Sequence, residues 1–207
     1  MPHLILCQLN SSKTFLLSMI VLMLLASCST QKKTAASKPD ASRSINKPPP
    51  SGLSGKAREL DAINAARLVA YQEKYQGVLG SQTAVNNLAL FDFIDEWMYT
   101  PYQYGGNSKS GIDCSRLSIL LLQEVYHKSV TGSSADISRQ TEPVAKNKLK
   151  EGDLVFFDIN SDEVSHMGVY LANDKFIHST AKAGVIISDL NDAYYSKYFT
   201  GGGRVKQ

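Results

Sequence analysis

The sequence predicts an α+β fold in which N-terminal helices and a cysteine-bearing helix pack on an antiparallel sheet of about five strands. Three observations carry that expectation. Helical patterns come first in the chain, and strand patterns on short turns come last, which is the order of an α+β domain. A glycine-rich polar loop, Gly105 to Asp113, runs into Cys114 and then the apolar run Leu117–Leu122. Two histidines, His166 and His178, fall at one end of a predicted hairpin.

The chain has 207 residues, with 43% hydrophobic and 20% charged. That is a globular composition with room for one domain of ordinary size and extensions. The formal net charge of +3 is unevenly spread. Residues 29–58 hold seven Lys/Arg against one Asp, whereas residues 59–207 hold 14 Lys/Arg against 18 Asp/Glu. The basic charge therefore belongs to a tail and the folded part is mildly acidic. A nucleic-acid-binding domain would carry its basic patch on the fold, so no nucleic-acid partner is expected.

Residues 1–27 read as a signal peptide. Lys13 precedes an apolar core, Phe15 to Ala26, broken only by Ser18. Twelve residues suit a signal-peptide core, and a membrane-spanning helix needs about 20. The core closes on Leu25-Ala26-Ser27-Cys28, which resembles a bacterial lipobox with Cys28 as the lipidated residue. An ordinary secretory signal cleaved near Ala26-Ser27 is the alternative. After processing, Cys114 is the one free thiol left in an exported chain, which favours a working cysteine. Residues 28–55 are rich in Lys, Ser, Thr and Pro and cannot bury enough apolar surface to fold. They read as a disordered, extended tether that lets the domain stand off the membrane, with a plain solvated spacer preferred over one bound to anionic lipid or wall polymer.

Two packing helices are expected over residues 56–99. Ser54 can cap the first, which ends near Gly77-Val78-Leu79-Gly80, and the second runs from about Ala84 to Met98. Pro101 stops the second. The third helix starts at Cys114 and buries Leu117, Leu120, Leu121 and Val125. A helix N-terminus is expected to lower the thiol pKa, and its free N–H groups suit an oxyanion. Residues 128–150 show no clear periodicity. Strands are then expected at Asp153–Asp158, Ser165–Leu171, Lys175–Ser179 and Gly184–Ser188, with a fifth at Gly203–Lys206. Ala172-Asn173-Asp174 supplies a hairpin turn.

The hairpin brings His166 and His178 face to face at one end of the sheet. With the N-terminus of the Cys114 helix packed there, a thiol, a base and an orienting group converge. His127, some 13 residues beyond Cys114, lies about 20 Å away along the helix and reads as a C-terminal helix cation. No third Cys, His or carboxylate stands at ligand spacing near the histidine pair, so no metal is expected.

These residues carry a resemblance. From about Thr100 to Val205 the chain resembles the NlpC family of papain-like cysteine peptidases, bacterial cell-wall endopeptidases. The motifs are PYQYGG, SGIDCS, LKEGDLVFF, SHMGVYL, FIHST, GVIIS and GGRV, in order. The chain is especially similar to outer-membrane lipoprotein endopeptidases that open murein crosslinks. The resemblance implies a papain-like catalytic domain over residues 100–207, Cys114 as nucleophile, His166 as general base and His178 as its orienting partner. It further implies Tyr102 at the oxyanion site, Asp113 and Ser115 against the substrate peptide, and no cofactor. The implied partners are peptidoglycan stem peptides and a bacterial membrane, reached through lipid on Cys28. A monomer is expected.

Two departures stand out. The family usually has Gly after Asp-Cys-Ser, and here Arg116 follows. Its Pro-Arg pair before a Ser/Thr stretch appears as Ser138-Arg139-Gln140. The alternatives to a stem-peptide endopeptidase are an inactive, anchored wall-binding domain with Arg116 obstructing the cleft, and an acyltransferase or amidase built on the same Cys-His site. The bond expected to be cut is either γ-D-glutamyl–diaminopimelate or the D-alanyl–diaminopimelate crosslink.

Overall fold

A computed structural model of the protein describes residues 51–206. The expected signal peptide, the expected lipidation site at Cys28 and residues 28–50 of the expected tether lie outside the described residues, and residues 51–55, also expected in the disordered tether, are already helical. Helix α1 (Ser51–Leu79) starts three residues before the expected cap at Ser54. Its exposed first half carries Leu60 and Ile63. Its second half packs Leu68, Tyr71, Tyr75 and Leu79 against α2 (Leu88–Trp97). Asn87 caps α2 by accepting a hydrogen bond from Leu90 N, which places the start four residues later than the apolar pattern suggested.

A two-stranded ribbon, β1 (Asn107–Ser108) with β2 (Gly111–Ile112), leads into α3 (Cys114–Tyr126). His127 ends α3 as its cap, in the left-handed conformation. Next come α4 (Ser134–Arg139), opened by a Ser133–Asp136 capping box, and β3 (Glu142–Val144). Neither was legible in the polar stretch 128–150. A single 3₁₀ turn at Lys146–Lys148 precedes β4 (Leu154–Phe157). Then follow β5 (His166–Ala172), β6 (Lys175–Thr180), β7 (Gly184–Asp189), α5 (Ala193–Tyr198) and β8 (Phe199–Arg204).

The main sheet is antiparallel throughout, with strand order β3-β8-β4-β5-β6-β7. It therefore has six strands where about five were expected. The additional one is β3, whose exposed Glu142-Pro143 carries no apolar alternation. The β5–β6 turn places Asn173 and Asp174 both at positive φ, the backbone that a tight two-residue hairpin requires.

Strand β4 is buried along its whole length because the sheet is covered on both faces. Leu154 and Phe156 face a core shared with Leu117, Leu121, Met167 and Ile177, against which α3 packs. Val155 and Phe157 face a second core with Phe176 and Leu190, flanked by Tyr195, Tyr198 and Phe199 around α5. Asp153, 3% exposed, accepts from both Arg204 Nε (2.7 Å) and Arg204 Nη2 (2.6 Å). That two-point pair clamps the end of β8 to the start of β4.

Candidate active site

Cys114 is placed by the segments on either side of it. Ile112 N donates to Pro101 O, and Gln103 N donates to Ile112 O, so residues 101–103 run beside the strand that enters α3. Ser179 Oγ on β6 donates to Ile112 O at 2.8 Å and fixes the same strand from the sheet side. Asp113 then caps α3. Its Oδ1 accepts from Arg116 N (2.7 Å) and Ser115 Oγ (2.9 Å), and its Oδ2 accepts from Gly105 N (3.0 Å). The two residues flanking the cysteine thus hold each other and the glycine-rich loop.

The thiol is buried, at 8% exposure. Backbone N–H groups of Met167, Ser115 and Cys114 itself lie close to the sulfur. These favour a thiolate, but burial outweighs them, and the Asp113 carboxylate adds to it, so the thiol is pushed up to about 11. That corrects the expectation of a thiol lowered by its helix N-terminus.

Met167 also locates the sulfur relative to the histidines, because His166 is its chain neighbour at the start of β5. His166 Nε2 and His178 Nδ1 are 2.7 Å apart. They are not directly opposed, as the hairpin pattern implied. Continuing the register that pairs Val169 with Ile177 sets Gly168, not His166, beside His178. The histidines are diagonal neighbours on one face, and the missing side chain of Gly168 leaves their rings room to meet. A Cβ there would lie 2.7 Å from Ile177 O and 3.0 Å from His178 Cβ.

That face is the aromatic second core. The His166 ring lies 5.8 Å from Phe157, and the His178 ring lies 4.6 Å from Phe176 and 5.1 Å from Tyr195. Burial among these rings lowers His166 to about 4. The same burial, with the His166 charge, holds His178 well below its ordinary value. His178 Nε2 is 2.9 Å from Ser188 Oγ on β7. No sequence motif marks Ser188 as a site residue. The β6–β7 register, which pairs His178 with Ile186, makes it the diagonal neighbour and could have revealed it.

Two cavities meet here. One, of about 350 Å³, is lined by Tyr102, Asp113, Cys114 and Ser115. The other, of about 260 Å³, is lined by Tyr102, His166, Tyr194 and Tyr195. Tyr102 and Ser165 border both, so the sequence-predicted residues Tyr102, Asp113, Cys114, Ser115 and His166 line one cleft, with His178 buried behind His166. Burial, and next the neighbouring Cys114, raise the Tyr102 hydroxyl, which keeps it a hydrogen-bond donor at neutral pH. A nucleophile, a proton acceptor with an oriented ring and convergent N–H and O–H donors are the parts needed for acyl transfer. His127 lies outside this cleft, at the far end of α3.

The chain is similar to several known proteins. Relatives include a Haemophilus influenzae protein named "Probable endopeptidase NlpC homolog", 35% identical over 125 residues, which are 60% of this chain and 66% of that protein. Another is an Escherichia coli protein named "Murein DD-endopeptidase MepS/Murein LD-carboxypeptidase", 29% identical over 67% of this chain and 72% of its own length. Among solved structures, an NlpC/P60 family protein from Bacillus cereus superposes with a TM-score of 0.52 at 29% identity, covering 57% of this chain and 40% of that one. The model of the NlpC/P60 family matches residues 99–204, just over half of the sequence and all of the cleft, and the chain belongs to the NlpC/P60 family.

Proposed function

We propose that this protein is a peptidoglycan endopeptidase that hydrolyses a stem-peptide amide through a thioester on Cys114. The observation that carries the reading is the 2.7 Å His166–His178 contact beside the cleft that Cys114 lines, Tyr102 and Ser165 bordering both of its cavities. The names of the relatives supply the substrate class, since they are murein and NlpC endopeptidases.

Cys114 Sγ attacks the scissile carbonyl and His166 Nδ1 takes the thiol proton. For Nδ1 to be basic, Nε2 carries hydrogen and donates to His178 Nδ1. His178 then carries its proton on Nε2 and donates to Ser188 Oγ. With the thiol at about 11 and His166 at about 4, the resting pair is neutral, and proton transfer accompanies attack. Tyr102 Oη and the backbone N–H groups near the sulfur stabilise the oxyanion. Imidazolium then protonates the leaving amine, the C–N bond breaks and the thioester remains. Water, deprotonated by His166, hydrolyses it and frees the thiol. Asp113 and Ser115 border the bound peptide, and the reaction calls on no cofactor.

The same reading makes the chain a lipid-anchored monomer of the cell envelope, with Cys28 carrying the lipid at the outer membrane. Leu25-Ala26-Ser27-Cys28 and the Lys/Ser/Pro-rich residues that follow support the anchor and tether. Among the described residues no helix is long and apolar enough to cross a membrane.

The test is digestion of purified peptidoglycan by the full-length chain in detergent, beside Cys114→Ala, with products read by mass spectrometry. New stem-peptide fragments from the unsubstituted protein alone are expected. Equal fragments from both proteins, or none from either, would overturn the reading.

A further inference from the structure

The cleft does not end at Cys114. Gly105, Asp113, Ser115 and Gly132, which border the cysteine-side cavity, also border a second, polar groove of about 290 Å³. Arg116 and Asn107 line that groove and are exposed. Among the described residues the ion pairs engage Arg67, Lys74, Lys109, Arg139, Lys175, Arg204 and Lys206, and Arg116 is in none of them. The neighbouring acid does not claim it either. Both Asp113 carboxylate oxygens take backbone N–H groups and the Ser115 hydroxyl, as α3 requires for its cap. The groove therefore holds an uncommitted guanidinium beside an amide side chain, connected to the nucleophile by shared walls.

We propose that this groove is a subsite for a free carboxylate on the acyl side of the scissile bond, with Arg116 as the residue that reads it. The inference rests on the endopeptidase reading for its orientation. His166 protonates the leaving amine, so the amine half of the substrate lies along the His166, Tyr194 and Tyr195 cavity. The acyl half must lie along the other, the cysteine-side cavity that continues to Arg116. Either candidate bond presents a carboxylate there. A γ-D-glutamyl residue is linked through its side-chain carbonyl, so its α-carboxyl is free on the attacked residue itself. In a D-alanyl crosslink, the diaminopimelate residue just before the alanine keeps the carboxyl at the far end of its side chain. A planar guanidinium matches a carboxylate with two parallel N–H···O bonds, which a carboxamide cannot accept with equal strength. Amidation at these carboxyls removes the charge and leaves the shape nearly unchanged, so it is the change this subsite detects.

The experiment measures binding rather than turnover. Full-length Cys114→Ala protein in detergent is titrated calorimetrically with tetrapeptide stems, L-alanyl-γ-D-glutamyl-diaminopimelyl-D-alanine. One stem is unmodified, one is amidated at the glutamyl α-carboxyl and one at the free diaminopimelate carboxyl. The unmodified stem is expected to bind about fivefold tighter than one of the amidated stems, the scale of a solvent-accessible ion pair. Adding Arg116→Gly should erase that preference while leaving the affinity for the amidated stem in place, and Arg116→Lys should keep part of it. An equal preference with and without Arg116, no preference in the Cys114→Ala protein, or no binding of any stem would overturn the subsite. A preference that follows Arg116, together with no fragments released from peptidoglycan by the chain that keeps Cys114, would retain the subsite and remove the endopeptidase.

Discussion

His178 meets His166 across the empty space over Gly168, diagonally rather than directly, with ring nitrogens 2.7 Å apart. The pairing depends on a residue that does no chemistry. Gly168→Ala would push a Cβ against Ile177 O and His178 Cβ, and neither backbone nor ring can yield without parting β5 from β6. The expected outcome is a loss of about 1–3 kcal/mol in denaturant unfolding, the usual cost of overpacking. Turnover should fall by more than the unfolded fraction explains.

In the proposed mechanism His178 acts on the reaction only through His166. His178→Ala should lower kcat by roughly 10²-fold, the scale of a misplaced catalytic group, with little change in KM. His178→Asn, which can still accept from His166 Nε2, should recover part of the loss. His166→Ala removes the base itself and should cost about 10²–10⁴-fold in kcat. Steady-state kinetics on a defined muropeptide separate these cases.

Both histidines are held neutral by burial, with His166 lowered from 6.5 to about 4 and His178 lowered as well. Below pH 6.5 the unfolded chain binds protons that the folded chain refuses, so stability falls as pH falls. The loss runs from about pH 6.5 down to about pH 4, where His166 begins to protonate in the fold. His166 alone contributes up to about 3 kcal/mol of it. Melting curves between pH 7 and pH 4 should show the decline, and His178→Asn should flatten it.

The buried thiol predicts a particular reactivity. A Cys114 pushed up to about 11 should alkylate with iodoacetamide at a rate that keeps rising from pH 6 to pH 10. A rate already level across that range would mean a preformed thiolate.

Much of this was legible from local pattern. The strands β4 to β7 announce themselves through apolar runs and the Asn173-Asp174 turn, and α3 through its leucine spacing. Apart from α4, whose Ser133–Asp136 capping box is local, what escaped was set by partners distant in sequence. Strand β3 is polar and pairs only because the end of β8 lies beside it. Phe199–Arg204 forms β8 despite three consecutive glycines, because Gly203 admits Phe156 and Thr141 at its Cα. Motif and resemblance point to Cys114, His166, His178, Tyr102, Asp113 and Ser115. They do not give the diagonal register of the histidines, the Ser188 contact or the direction of the thiol pKa, because each follows from strand pairing or burial. A helix N-terminus read from sequence says nothing of how much water the fold removes from the sulfur.

The most direct measurement concerns the covalent intermediate. The full-length chain would be mixed with a stem-peptide substrate, quenched in acid within a turnover and mapped by mass spectrometry. The acyl fragment of the substrate should appear on Cys114 and be absent from Cys114→Ala, which should release no product. Product release by Cys114→Ala at the unsubstituted rate, with no adduct on Cys114 in either protein, would contradict the thioester mechanism.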